Sequence, residues 1–152
     1  MPRVSQIIVR TALINFALGY TLGALALIEK GLRVLPWLWT LKASHVHVLL
    51  IGAMVQLACG VAVWIMPRLD AAGDRGNLLL VWIGYAALNG GVALAALHAP
   101  LTALVGSSSL DAMPILAAAL YGVAAAAFVA HIWRRVLPFQ AIPRPSQPSE
   151  PR

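Results

Sequence analysis

Four long apolar stretches without a charged residue at their centres constrain this chain more than any other feature. They run from about residue 7 to 28, 43 to 66, 78 to 99 and 110 to 136. Each approaches or exceeds the roughly 20 residues that a helix needs to cross the hydrocarbon core of a bilayer. The runs lack the alternation of barrel strands, and backbone groups in lipid must be paired within the segment. They therefore predict helices.

The composition agrees with this interpretation. Of the 152 residues, 61% are hydrophobic and 11% are charged, and the mean hydropathy is +0.82. A soluble domain of this size exposes too much of its surface to hide so much apolar material. The predicted fold class is all-α, an integral membrane four-helix bundle over residues 1–137. Residues 138–152 hold five of the ten prolines and predict a tail that is disordered or polyproline-like on its own.

Helix-breaking and capping residues mark the connections between the apolar runs. Pro36, Pro67 and Pro100 fall in the predicted first, second and third connections. Asn77 and Ser109 are the predicted N-caps of the third and fourth helices, because short polar side chains at this position bind the free N–H groups of a first turn.

Basic residues predict how the helices are oriented. The N-terminus, the second connection and the tail hold eight of the eleven Lys and Arg residues, whereas the other side holds only Lys30, Arg33 and Lys42. The positive-inside rule then places both the N- and the C-terminus in the cytoplasm. The net charge of +6 also suits anionic lipid head groups. Nucleic acid is not an expected partner, because no soluble basic face is predicted.

Histidine is rare inside membrane spans, so each histidine here is a functional hypothesis. His45 and His47 open the second helix and His98 closes the third, which places all three at similar depth on the outer side. A helix bundle with facing histidines can hold a haem or a metal ion. We therefore expect His47 and His98 to be the axial ligands of a b-type haem iron. Alternatively, these histidines are interfacial groups that hydrogen-bond near the head groups.

Other polar residues refine this picture. Arg33 and Lys42 are expected near the haem propionates on the outer side, and His45 is expected to point away from His47 because the two are two residues apart on a helix. His131 lies at the opposite side, as the polar end of a helix or as a proton or quinone contact. Interhelical hydrogen bonding is expected of a further set of deep polar residues, namely Asn15, Tyr20, Thr21, Gln56, Tyr85, Asn89 and Tyr121.

The second helix resembles a known protein family. Residues 44–52 read SHVHVLLIG and residues 62–68 read AVWIMPR. This segment resembles subunit I of the haem–copper oxidases, and is most similar to small four-helix proteins that resemble the N-terminal helices of cbb3-type oxidase subunit I. The shared features are the His-x-His opening, a glycine five residues after the second histidine and the Pro-Arg ending. The resemblance covers residues 10–68 and implies that His47, or else His45, ligates a low-spin haem from the outer side.

This resemblance also implies limits. Four helices lack the later helices that carry the remaining haem and copper ligands, so the chain is not expected to reduce oxygen or nitric oxide by itself. The second ligand of the haem would be His98 or a residue of another subunit. No carboxylate pair, nucleophile triad, phosphate loop or Cys-x-x-Cys motif occurs in the sequence, so no other catalytic chemistry is predicted.

We therefore expect an accessory or electron-transfer subunit of a respiratory complex in the bacterial cytoplasmic (inner) membrane. The expected partners are other membrane protein subunits, lipids and a quinone or another redox partner. The alternative is a haem-free structural subunit that stabilises a larger membrane complex. A transporter or channel is disfavoured, because Asn15, Gln56 and Asn89 are the only strongly polar groups along a transmembrane path.

Overall fold

The computed structural model describes residues 1–69, 75–106, 110–133 and 135–136. Every regular element within these ranges is a helix. The predicted N-cap at Ser109, parts of the second and third connections and the proline-rich tail 138–152 lie outside the described residues.

The helices form four long units. Their bounds are α1 (Arg3–Leu32), a 3-10 helix (Pro36–Thr40), α2 (Leu41–Val46), a π-helix (His47–Val55), α3 (Gln56–Ile65), α4 (Leu78–Val105) and α5 (Ala112–Trp133). The four elements from the 3-10 helix to α3 follow one another without a break and form the second rod, Pro36–Ile65. All four units are long and apolar enough to cross a membrane, which confirms the all-α prediction with four candidate spans.

The predicted third connection begins later than the sequence suggests. The prediction that Pro100 lies in this connection is wrong, because α4 continues through it to Val105. A proline has no N–H and leaves the carbonyl four residues earlier, that of Ala96, without its helical donor. The Ser44 hydroxyl of α2 donates to this oxygen at 2.5 Å. A serine of the neighbouring helix thus replaces the missing backbone donor, as is common where prolines occur in apolar helices.

Two helix starts differ in how well the sequence predicts them. The Asn77 side chain accepts a hydrogen bond from the Leu79 N–H at 2.9 Å, which confirms the predicted N-cap of α4. The π-helix that begins at His47 is not predicted by the sequence. Its wider turns change the direction of the side chains that follow, and π-helical turns occur frequently at functional sites.

The four units pack in a row rather than as a closed square. α1 packs along the second rod, the second rod packs on α4, and α4 makes its most extensive contacts with α5. Contact between α5 and the second rod is slight. An apolar groove of about 580 Å³ therefore remains between these two units, with Ile51, Cys59, Phe128 and Trp133 among its lining residues.

Glycines allow α1 to approach the second rod closely. A Cβ at Gly23 would lie 2.6 Å from Nδ1 of His45, and a Cβ at Gly19 would lie 3.0 Å from Cβ of Leu49. Gly19 and Gly23, which have Gly-x-x-x-Gly spacing, thus form the seam between these two units. Gly31 of the same helix has no atom of the described residues within 4 Å of such a Cβ, so no close approach there requires a glycine.

The distribution of polarity is inverted with respect to a soluble protein. Large apolar side chains are among the most exposed, with Trp133 75%, Ile115 73% and Leu104 72% exposed. Several polar or charged residues are buried instead, namely Ser5, Glu29, Ser44, Gln56, His131 and Arg135. Such a surface suits an apolar surrounding, and the interior holds the groups that must be hydrogen-bonded.

Candidate functional site

His47 is the first residue of the π-helix, in the first half of the second rod, where the rod lies beside α4 and α5. Its ring is half-buried and stacks on the ring of Tyr121, with 6.3 Å between centroids and 22° between planes. The Tyr121 hydroxyl lies 3.4 Å from Nδ1 of His47. Nε2 has no hydrogen-bond partner within the described part of the chain, so this nitrogen is free to bind a ligand.

His98 lies in the last third of α4 and faces the same space. Its Nε2 is buried and has no hydrogen-bond partner among the residues that the structure describes. A buried polar atom without a partner is costly, and in native proteins it commonly indicates an unseen water, ion or ligand. Oε1 of Gln56 is the other such atom in the described residues, and His98 is the one of the two that lines a cavity together with His47.

One hydrogen bond joins the second rod to α4 close to both His47 and His98. Ser44 is one helical turn before His47, and Ala96 is two residues before His98. The hydrogen bond from the Ser44 hydroxyl to the Ala96 carbonyl, which Pro100 leaves free, therefore joins the two helices beside both imidazoles. The spacing of single residues in the sequence does not predict this pairing.

His47 and His98 line one cavity of about 300 Å³. Besides His47, His98 and Tyr121, its lining consists of small side chains and a proline, namely Ala43, Ala95, Ala99, Pro114, Ala117 and Ala118. Alanines on three helices leave the space that larger side chains would fill. Tyr121 also lines the apolar groove between the second rod and α5, so the cavity and the groove adjoin at this ring.

The other predicted site residues lie elsewhere. His45 faces α1, where its Nδ1 donates a hydrogen bond to the Gly19 carbonyl at 2.7 Å. Arg33 and Lys42 line two small cavities between α1 and the start of the second rod, and neither lines the cavity of His47 and His98. The structure thus brings His47 and His98 together, and separates both from His45, Arg33 and Lys42.

His131 is fully hydrogen-bonded at the opposite end of the helices. Its Nδ1 donates to the Asn77 carbonyl at 3.1 Å. Its Nε2 lies 3.1 Å from Nη1 of Arg135, and because a guanidinium only donates, Nε2 accepts this bond. Both ring nitrogens are thus used, which leaves His131 neutral and favours its interpretation as the polar end of a helix.

Arg135 joins α5 to the end of α3. It is 1% exposed and donates to the carbonyls of Val63 at 3.2 Å, Met66 at 2.6 Å and Pro67 at 3.0 Å. These are acceptors that the end of a helix leaves free, so the cation also interacts favourably with the helix dipole. Burial, together with the charge of Arg75, lowers the pKa of Arg135 from its ordinary value, but an arginine stays protonated at neutral pH.

The deep polar residues divide into two groups. Asn15 donates to the Gly52 carbonyl at 3.0 Å and Gln56 to the Ile8 carbonyl at 3.2 Å, which confirms interhelical hydrogen bonding for both. Thr21 and Asn89 instead donate to carbonyls of their own helices, so that prediction is wrong for them.

The tyrosines behave differently from one another. The Tyr85 hydroxyl lies 3.0 Å from that of Thr11 on another helix. Tyr20 is exposed and packs on Phe16 of its own helix. Only Tyr121 contacts a histidine of the cavity.

The donor set indicates which ligands the cavity can hold. In the described ranges, no group of three or more His, Cys, Asp or Glu side chains could bind a metal ion. Two imidazoles on adjacent helices, each with a free nitrogen, can instead supply the two axial positions of a haem, whose ring fills the remaining ligand positions. The orphaned Nε2 of His98 and the alanine lining provide a polar nitrogen and apolar space for a ligand.

Comparison with known protein families, with curated proteins and with solved structures finds no match for this chain. The resemblance to oxidase subunit I therefore stays a prediction carried by residues 44–68.

Proposed function

We propose that this protein is a multi-pass integral membrane subunit of a bacterial respiratory complex in the cytoplasmic membrane. Four helices of membrane-spanning length, an apolar exterior and a polar interior support membrane insertion. The excess of Lys and Arg at one side of the helices supports an orientation with both termini in the cytoplasm.

We further propose that the cavity between α4 and the second rod holds one b-type haem through His47 and His98. The observation that carries this proposal is the buried Nε2 of His98, which has no partner among the described residues and lies in the cavity that His47 also lines. The volume of about 300 Å³ is at the low end for small-molecule sites. The adjoining groove beside Tyr121 provides further apolar space.

The residues of this chain have separate roles in the proposed site. His47 and His98 would hold the haem iron through their Nε2 atoms. The Tyr121 hydroxyl, 3.4 Å from Nδ1 of His47, would accept a weak hydrogen bond from it, which would favour the tautomer that leaves Nε2 for the ligand. The alanines leave apolar space beside the two histidines. A bound b-type haem supplies one-electron transfer, which accounts for the proposed electron-transfer role.

The difference spectrum of dithionite-reduced minus oxidised protein tests this proposal. Wild type purified gently in detergent is compared with the His47→Ala, His98→Ala and His45→Ala variants. His45→Ala is the matched control, because His45 is only two residues from His47 but faces α1. We expect a b-type α-band in wild type and in His45→Ala, and its loss in the other two variants. Circular dichroism of each variant checks that the helices are retained.

Two results would contradict the haem site. A band that survives both His47→Ala and His98→Ala would assign the iron to other ligands. Loss of the band in His45→Ala alone would make His45 the ligand, as the weaker reading of the oxidase resemblance implies.

A haem-free structural subunit is the second candidate function. The apolar groove of about 580 Å³ between the second rod and α5 favours it, because a helix of a larger membrane protein could pack there. The same spectrum distinguishes the two functions. Wild type without any haem band, isolated together with its partner subunits, would support the structural role.

A further inference from the structure

The three basic residues on the proposed outer side all surround one tryptophan. Lys30 and Arg33 line a cavity of about 440 Å³ together with Trp39. Lys30, Lys42 and Trp39 line a second cavity of about 160 Å³, whose wall also includes His45. Because Lys30 and Trp39 line both, the two cavities adjoin, and we call them together the Trp39 cleft.

Local backbone structure sets the position of these cations. Arg33 ends α1 in the left-handed conformation, with φ 53°, and its N–H donates to the Glu29 carbonyl at 2.8 Å. The buried Glu29 carboxylate accepts a hydrogen bond from the Leu35 N–H at 2.7 Å. Nζ of Lys42 lies 5.2 Å from the ring centroid of Trp39, within the range of a cation–π interaction. The turn from α1 to the second rod is therefore held by contacts within the protein itself.

The charge of the Trp39 cleft is unbalanced. Lys30, Arg33 and Lys42 contribute three positive charges, and Glu29 is the only acidic residue among those that line it. The carboxylate of Glu29 is already used by the Leu35 N–H. The cleft therefore attracts an anion, and the guanidinium fork of Arg33 suits the paired oxygens of a phosphate.

The floor of the cleft is apolar. Gly23, Ala26 and Leu27 of α1 line its lower part, on the side toward the middle of the candidate membrane span. Tryptophan is enriched where a helix meets the membrane surface, which places Trp39 at the level of the head groups in the proposed orientation. A ligand that fits both parts has an anionic head and an apolar chain.

We propose that the Trp39 cleft binds an anionic phospholipid, with its phosphate among Lys30, Arg33 and Lys42 and an acyl chain along Ala26 and Leu27. This site is separate from the cavity of His47 and His98, and it does not depend on the proposed haem. Arg33 and Lys42 thus have a lipid rather than haem propionates as their partner.

Native mass spectrometry of the full chain, delipidated in detergent, measures this binding. The probes are phosphatidylglycerol, zwitterionic phosphatidylcholine and inorganic phosphate. The test variant carries Lys30→Gln, Arg33→Gln and Lys42→Gln. The matched control carries Arg3→Gln, Arg10→Gln and Arg68→Gln, which removes the same charge from exposed positions that line no part of the cleft.

We expect the affinity for phosphatidylglycerol to fall about fivefold per basic residue and about a hundredfold in the test variant. The control variant should lose less than about threefold, because its charges act only through the general field of the protein. Lys42→Gln alone, at an exposed position, should lose about fivefold and serves if the triple variant does not fold.

Three results would overturn the proposal. Equal losses in the test and control variants would show that binding depends on net charge alone. Phosphatidylcholine that binds as tightly as phosphatidylglycerol would remove the role of the three cations. Inorganic phosphate that displaces phosphatidylglycerol from wild type at equal concentration would assign the cleft to a free anion rather than to a lipid.

Discussion

His131 and His98 each lie near the end of a long helix, but their surroundings are opposite. His131 uses both ring nitrogens, one toward the Asn77 carbonyl and one toward Arg135. His98 has a buried Nε2 without a partner among the described residues. Burial of a polar nitrogen without a hydrogen bond is unfavourable unless another group binds it. The comparison therefore distinguishes a histidine that holds helices together from one whose buried ring nitrogen has no partner among the described residues.

The space around the two histidines differs in the same way. Near His131, the Arg135 side chain fills the space between α5 and the end of α3 and satisfies backbone carbonyls there. Near His98, alanines of three helices leave a cavity. The polar side chains near His131 are thus hydrogen-bonded to other groups of the protein. Near His98, a buried ring nitrogen has no partner among the described residues.

Replacement of Arg135 should have the largest effect on stability. Arg135→Ala leaves the carbonyls of Met66 and Pro67 and Nε2 of His131 without this donor, and the Val63 carbonyl keeps only the long bond from Nη1 of Arg75 at 3.4 Å. We therefore expect a loss of about 3 kcal/mol or more in the free energy of unfolding. Thermal unfolding in detergent, followed by circular dichroism, measures it. Arg10→Ala, at an exposed position, is the control and should change little. Equal effects of the two variants would show that the buried hydrogen bonds of Arg135 are not a main source of stability.

The two histidines themselves give the direct test of the comparison. His131→Ala leaves the guanidinium of Arg135 and the Asn77 carbonyl short of a partner, so we expect a loss of about 2 kcal/mol. His98→Ala removes an unpaired nitrogen, and in protein without cofactor it should change the free energy of unfolding by less than about 1 kcal/mol. The same thermal measurement compares them. A larger loss in His98→Ala would mean that its ring supports the fold and would weaken the argument for a ligand.

The sequence predicts the four helices well because membrane-spanning segments are determined by local hydropathy. It also predicts the N-cap at Asn77, since capping depends on neighbouring residues. Pro100 is misassigned because its effect depends on Ser44, which is 56 positions earlier in the chain and donates to the Ala96 carbonyl. The π-helix after His47 has no local sequence pattern that distinguishes it from an apolar α-helix.

The candidate site is predicted in part for the same reason. Matching depth in two adjacent helices identifies His47 and His98, and the structure places both on one cavity. Depth alone cannot tell on which side of the second rod a residue lies, so it does not show that Arg33 and Lys42 line other cavities than the one of His47 and His98. They lie in the Trp39 cleft on the side of His45. The contact between Tyr121 and His47 likewise depends on how α5 packs on α4.

A double-mutant cycle at Ser44 and Pro100 tests what aligns the cavity. Ser44→Ala should cost about 1.5 kcal/mol, because the Ala96 carbonyl then has neither the hydroxyl nor a backbone donor. Pro100→Ala supplies the missing N–H, so in that background Ser44→Ala should cost less than about 0.5 kcal/mol. The coupling energy is then about 1 kcal/mol. Additive effects of the two substitutions would show that the Ser44 hydroxyl does not replace the donor that Pro100 lacks.

Tyr121→Phe should have the smallest effect on stability and a specific effect on the proposed site. The hydroxyl lies 3.4 Å from Nδ1 of His47, too far for a strong bond, and the ring stacking is kept, so we expect a loss below about 0.5 kcal/mol. If Nε2 of His47 binds haem iron, Nδ1–H donates to this hydroxyl and makes the imidazole a stronger ligand of oxidised iron. Loss of the acceptor should then raise the midpoint potential while haem remains bound.

Spectroelectrochemical titration measures this potential, and Tyr85→Phe is the matched control. Its hydroxyl lies 3.0 Å from that of Thr11 and does not line the cavity. Tyr85→Phe should therefore cost about 1 kcal/mol of stability and leave the midpoint potential unchanged. Tyr85→Phe should thus change stability alone, whereas Tyr121→Phe should change the midpoint potential with little effect on stability. A midpoint potential that falls or stays unchanged in Tyr121→Phe would contradict the role of the hydroxyl as acceptor of Nδ1–H of an iron-bound His47.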